Sequence, residues 1–257
     1  MLSRLSKIDE LRNTLRNGKS SIGTWMQIPH SSVAEILGTS GFDWVAVDLE
    51  HGAFSLSQLP DIFRAIELGG TLPLARLSEG SKTECKQVLD AGAGGVIVPM
   101  IETAEQLISV RNACRWPPAG KRGVGFSRAN LFGKNFDVYQ QEAQSPLLVA
   151  MIESAEALNN IESILSVSGL DALLVGPYDL SSSLGCIADF QHSDFLNALN
   201  KILNACRSSK VAMGVHIVEP SKEELREKIR SEYHFIAYSI DAVILNRFSN
   251  VDDLKLT

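Results

Sequence analysis

The chain has 257 residues, 45% of them hydrophobic and 21% charged, which is ordinary globular composition and excludes a disordered or fibrous protein. Its 24 Lys and Arg against 30 Asp and Glu leave a net charge of −6, the wrong sign for a surface that neutralises nucleic-acid phosphates. No apolar run approaches the roughly 20 residues of a membrane helix, and Met1 to Lys7 lacks a signal-peptide core, so a cytoplasmic protein is expected.

In chain order, a first helix is predicted from Leu5, Ile8, Leu11 and Leu15 at helical spacing, closed by Gly18. Apolar runs follow at 22–26, 44–48, 72–76, 95–100, 147–151, 172–176, 211–215 and 235–238. They are continuous rather than alternating, as in strands buried on both faces of a parallel sheet. Between them lie helix starts of the S/T-x-x-E/Q type (Ser32 with Glu35, Ser81 with Glu84, Thr103 with Gln106, Ser221 with Glu224) and glycine stops at Gly41, Gly69, Gly92 and Gly169. Strand–helix alternation repeated eight times in about 250 residues predicts a single (β/α)₈ TIM barrel domain over 1–257 with a short N-terminal helix. A doubly wound open sheet is the rival; it would use fewer strands and carry a ligand loop after the first. The stretch from Arg115 to Ser145 reads as irregular. From Gln106 to Phe136 it has no acidic residue against Arg111, Arg115, Lys121, Arg122, Arg128 and Lys134, a patch suited to an anion or to a neighbouring subunit's acidic surface.

Barrel chemistry sits at the C-terminal ends of the strands. Those ends hold Gln27, Asp48-Leu49-Glu50-His51, Arg76, Glu153, Gly176-Pro177-Tyr178-Asp179 and His216, too charged a ring for a buried core unless it binds something. Glu153 and Asp179 cap adjacent strands about 4.8 Å apart and can share an ion; carboxylate ligation suits Mg²⁺ or Mn²⁺, with Co²⁺ a further candidate. Either carboxylate could instead merely cap the helix after it. Arg76 is a structural ion-pair partner or, beside a metal, a fork that holds a carboxylate and faces an enolate oxygen. His51, three residues after Asp48, is a surface turn histidine or an acid–base whose ring Asp48 orients. His216 stays undecided. No lysine falls at a predicted strand end, which disfavours an imine route. The cysteines, Cys85, Cys114, Cys186 and Cys206, are scattered as in reduced thiols.

The segments Phe42-Asp43-Trp44-Val45-Ala46-Val47-Asp48-Leu49-Glu50-His51-Gly52, Val98-Pro99-Met100-Ile101-Glu102-Thr103, Trp116 to Gly125, Met151-Ile152-Glu153 and Gly176 to Ser181 resemble the HpcH/HpaI aldolase/citrate lyase family, in the branch of 4-hydroxy-2-oxoheptanedioate aldolases. The resemblance runs from about Gly23 to Asp241. It implies a barrel of the phosphoenolpyruvate/pyruvate-domain type and a divalent-metal-dependent carbon–carbon lyase that cleaves a 4-hydroxy-2-oxo acid to pyruvate and an aldehyde. By resemblance Glu153 and Asp179 hold the metal, Arg76 steadies the enolate, and His51 with Asp48 moves protons. Backbone amides around Gly176, Pro177 and Tyr178 hold the substrate carboxylate. Asp90 matches a position near a subunit interface, with basic Arg122 grouped beside it as secondary, and the assembly is a hexamer or trimer that exchanges its last helix. Met151 departs from the glutamine of several relatives, two residues before the metal-binding glutamate, and bears on substrate choice. The alternatives are an oxaloacetate-type decarboxylase or other pyruvate-enolate enzyme on the same site, and a 2-oxo-acid-binding barrel without turnover.

Overall fold

The computed structural model describes residues 3–250; the ends of the predicted 1–257 domain lie outside the described residues. Eight parallel strands close into a barrel in sequence order: β1 (Ser21–Met26), β2 (Trp44–Asp48), β3 (Leu72–Arg76), β4 (Gly95–Val98), β5 (Leu147–Ile152), β6 (Ala172–Val175), β7 (Ala212–Ile217) and β8 (Phe235–Ile240). Two hydrophobic clusters divide the strand side chains by alternation. Val45, Val47, Ala75, Val96, Val98, Ala150, Ile152, Leu173, Val175, Met213 and Ile217 face outward onto the helices. Trp25, Trp44, Ala46, Leu74, Ile97, Val149, Met151, Leu174 and Ala237 fill the lumen. Trp44 stacks on Phe235 with centroids 4.3 Å apart.

The N-terminal end of the lumen is stoppered by α1 (Arg4–Arg16), whose Ile8, Leu11 and Leu15 join the inner cluster. Buried Arg12 ties the helix down, donating to Asp171 at 2.9 Å and to the carbonyls of Ser145 and Pro146. The outer ring comprises α2 (Ser31–Thr39), α3 (Leu59–Leu68), α4 (Lys82–Ala91), α5 (Ala104–Cys114), α6 (Phe136–Gln144), α7 (Ala155–Asn159), α8 (Ile161–Leu165), α9 (Pro177–Ser183), α10 (Ser193–Ser209), α11 (Lys222–Arg230) and α12 (Asp241–Phe248).

Ser81, Thr103 and Ser221 cap their helices as the sequence indicates, and Thr103 with Gln106 forms the full reciprocal box. Glu84 instead turns its carboxylate onto the amides of Ser78, Glu79 and Gly80. At α2 the cap is His30, not Ser32: its Nδ1 accepts from the Ser32 amide, so the helix starts two residues earlier. The segment read as irregular from Arg115 to Ser145 contains a 3₁₀ turn (Arg128–Gly133) and α6, held by Trp116, Tyr139 and Ala143 in a small core of their own. Its basic side chains are partly answered: Arg128 pairs with Glu67, Arg122 donates to the Tyr139 hydroxyl at 2.8 Å, and Arg111 and Arg115 reach carbonyls of Ser168 and Gly169. Among the described residues no helix is long and apolar enough to cross a membrane.

Candidate active site

Direct register between Asp48 and Arg76 on β2 and β3 sets the first contact at the C-terminal mouth. Arg76 Nε and Nη2 donate to the two Asp48 carboxylate oxygens at 2.8 and 2.5 Å, a bidentate fork. Gln27, at the end of β1, donates through Nε2 to Asp48 Oδ2 at 2.8 Å, and the amides of Glu50 and His51 donate to Oδ1 at 3.1 and 3.2 Å. Burial alone would raise the Asp48 carboxyl, but the bonds and charge of Arg76, then Gln27, hold it below its ordinary value. The carboxylate is fully buried and its oxygens are committed. Asp48 therefore fixes Arg76 and the backbone of the β2 turn, rather than the His51 ring that the sequence assigned to it.

The remaining Arg76 nitrogen, Nη1, lies 3.1 Å from Glu50 Oε2, and the guanidinium stands 4.6 Å over the Trp25 ring. His51 sits at the solvent side, its side chain 62% exposed and its Nε2 3.9 Å from Glu50 Oε2. Across the mouth, Glu153 follows β5 and is buried; its Oε2 accepts from the Met100 amide at 2.7 Å. Met100 has φ 51°, a left-handed backbone that a side chain seldom adopts, and that conformation accompanies the amide's approach to the carboxylate. Burial pushes Glu153 up to about 7; the Met100 bond opposes, while the charges of Glu50 and Asp179 add to the rise. Glu50 is likewise raised, first by burial, with Arg76 and His51 opposing and Asp48 and Asp179 adding. Three carboxylates thus repel one another around a single paired arginine.

Gly176 stands where no side chain fits, because a Cβ there would collide with the Glu153 carboxylate. The expected amide cradle is narrower than the sequence implied. The Gly176 amide is spent on Ile152 O at 3.3 Å and Pro177 has none, which leaves the first-turn amides of Tyr178 and Asp179 at the start of α9. Asp179 is exposed in that turn and Tyr178 packs edge-on against Phe190. Met151 lies one layer below Glu153, buried in the lumen beside Leu174. Asp90 and Arg122 are not at the mouth. They face each other at 4.0 Å on the outer wall, between α4 and the segment after α5. Glu50, placed in the strand-end ring by sequence but given no role there, pairs with Arg76, and the Met100 amide is the member that sequence reasoning did not single out.

Among the described residues no three His, Cys, Asp or Glu side chains converge as a ready-made metal cage. The donor set nevertheless fits a hard divalent cation: carboxylate oxygens only, mutually repelling, the kind of ligand that such a cation combines with water and substrate oxygens.

The chain is similar to known proteins over nearly its whole length. The hydroxypyruvate/pyruvate aldolase of Roseobacter denitrificans is 36% identical over 93% of this chain and 94% of its own. The 2-keto-3-deoxy-L-rhamnonate aldolase of Salmonella gallinarum is 37% identical, over 90% and 86%. A crystal structure from Burkholderia cenocepacia, described as an HpcH/HpaI aldolase/citrate lyase family protein, superposes with a TM-score of 0.89 at 30% identity, covering 96% of this chain and 99% of that one. With the model of the HpcH/HpaI aldolase/citrate lyase family matching residues 21–246, the chain belongs to that family.

Proposed function

We propose that the protein is a class II pyruvate aldolase that cleaves a 4-hydroxy-2-oxo acid reversibly to pyruvate and an aldehyde. The observation that carries the reading is a cation, Arg76, locked in place by Asp48 at the same mouth as a carboxylate, Glu153, that burial first, and the charges of Glu50 and Asp179 after it, make costly to ionise alone. Glu153 and Asp179 would hold Mg²⁺, Mn²⁺ or Co²⁺, which supplies Lewis-acid polarisation of the 2-oxo group when bound.

The chain's own residues do the rest. The free amides of Tyr178 and Asp179 take the substrate carboxylate at the β6 end. Arg76, already oriented by Asp48 and backed by Trp25, meets the keto oxygen as it gains charge, and needs no reorientation during the reaction. In the cleavage direction the 4-hydroxyl proton leaves to a base, the C3–C4 electron pair moves to C3, and the aldehyde departs. His51, exposed and beside Glu50, is placed to relay that proton and to return one to C3. Nothing at the strand ends provides an imine-forming lysine. A homo-oligomer, hexamer or trimer, in the cytoplasm is part of this proposal; the four buried free cysteines are consistent with a reducing compartment.

The test is pyruvate with Mn²⁺ and a panel of aldehydes, read by carbon–carbon bond formation and by NMR exchange of the methyl protons with deuterated solvent. Both are expected, and both should stop on adding a chelator. Neither occurring would overturn the aldolase reading, and carbon dioxide release from oxaloacetate with no aldehyde chemistry would replace it with a decarboxylase.

A further inference from the structure

Asp48 grips Arg76 at two points, and the two are not anchored alike. Its Oδ1 takes Arg76 Nε at 2.8 Å and two further donors from its own turn, the amides of Glu50 and His51 at 3.1 and 3.2 Å. Its Oδ2 takes Arg76 Nη2 at 2.5 Å and, among the described residues, one donor more, Gln27 Nε2 at 2.8 Å. A carboxylate turns readily about the bond that carries it, because a torsion between an sp³ and an sp² carbon has broad wells. With Oδ1 tied to the backbone, such a turn swings Oδ2, and Arg76 swings with it. Gln27 is the contact on Oδ2 that comes from outside the pair.

The swing has a preferred end point. Arg76 Nη1, the nitrogen left over by the fork, lies 3.1 Å from Glu50 Oε2. A carboxylate is a strong partner for a guanidinium and competes with the substrate for that nitrogen. The Trp25 ring 4.6 Å below the guanidinium supports it from one side only, and a ring face does not fix its rotation.

Gln27 is itself held from behind. It follows β1, half-buried, and since a carboxylate only accepts, the amide nitrogen is the end turned to Asp48. Asp241, buried at the start of α12, accepts from the backbone amides of Gln27 and Ile28 at 2.8 and 2.9 Å, one on each oxygen. A register shift along the β1–β8 seam, between Gly23 and Trp25, sets Ile240 opposite Trp25, and Asp241 comes directly after it. A line of bonds thus runs from α12 through Gln27 and Asp48 to Arg76.

We propose that Gln27 is a positioning residue: by bonding Asp48 Oδ2 it keeps the Arg76 guanidinium turned so that Nη1 is presented to the keto oxygen of the substrate and not given over to Glu50. The proposal rests on the part assigned to Arg76 in the proposed function, and it needs no contact between Gln27 and the substrate.

The experiment follows exchange of pyruvate methyl protons with deuterated solvent, with Mn²⁺ and no aldehyde, in the wild type, Gln27→Met, Arg76→Lys and the double variant. Methionine matches glutamine in length but donates no hydrogen bond; Gln27→Leu, carried through the same cycle, serves if circular dichroism shows that Gln27→Met is not folded. In the single variant kcat is expected to fall about 10- to 30-fold, the size of one hydrogen bond to a charged group, with KM for pyruvate within about threefold of the wild type. In the Arg76→Lys background the same substitution should cost less than about threefold, because the fork it steadies is already gone. A kcat within twofold of the wild type, a loss confined to KM, or an equal loss in both backgrounds overturns the proposal and leaves the aldolase reading standing. A wild type that exchanges no protons overturns both.

Discussion

Arg76 and Asp48 behave as a unit, since each atom of the fork is used. Replacing Arg76 by Lys keeps the charge but not the planar fork or the stack on Trp25. The expected result is a loss of about 10²–10³-fold in kcat for pyruvate proton exchange, with far-ultraviolet circular dichroism unchanged. Gly176→Ala probes the other side of the mouth. The added methyl must displace Glu153, so calorimetric titration with Mn²⁺ should show affinity at least about tenfold weaker. His216 gives the acid limb of stability a distinct sign. Burial, reinforced by Arg76 and opposed by Ser239, lowers it to about 4, below its ordinary 6.5. The unfolded chain therefore binds the proton first. Stability is intact above pH 6.5 and is lost as the pH falls toward 4, by up to about 3 kcal/mol. Denaturant melts of His216→Leu against wild type should show that slope flattened; parallel pH curves would refute the assignment.

Among the elements, α1 has a structural role out of proportion to its length. Ile8 is fully buried in the lumen floor, and Ile8→Ala is expected to cost about 3 kcal/mol, read from the midpoint of urea unfolding. The elements are also where the sequence is most legible. The strands 44–48 and 72–76 match their predicted limits, because parallel strands buried on both faces leave unbroken apolar runs bounded by turns. β7 is displaced by one or two residues, since Val215-His216-Ile217 reads as a strand end by hydropathy although the ladder continues through it. α6 was hidden because its buried face, Tyr139 and Ala143, packs on Trp116 of the preceding loop rather than on the barrel. In the site, strand-end position located Asp48, Arg76, Glu153 and Asp179 in advance. Which of them touch depended on strand register and side-chain reach, so Asp48 was assigned to His51 when its neighbour across the ladder is Arg76. Backbone features such as the Met100 amide leave no mark in residue type.

At the scale of the whole molecule, an acidic chain displays several large apolar side chains: Phe126 and Phe132 on the segment before α6, and Leu245 and Phe248 on α12. Assembly through such faces predicts a light-scattering mass at a multiple of 28.0 kDa. Phe126→Asp with Phe132→Asp should reduce it, and a wild-type monomer at all concentrations would count against an oligomer.

Because α1 plugs the far end of the barrel, the site has a single doorway. Whatever lies deepest in the mouth, against Arg76, is covered by whatever lies above it, so the keto acid must enter before the aldehyde and cannot depart until the aldehyde has gone. Traffic through this protein is last in, first out: pyruvate should compete with the full-length 4-hydroxy-2-oxo acid for the free enzyme, whereas the aldehyde should not.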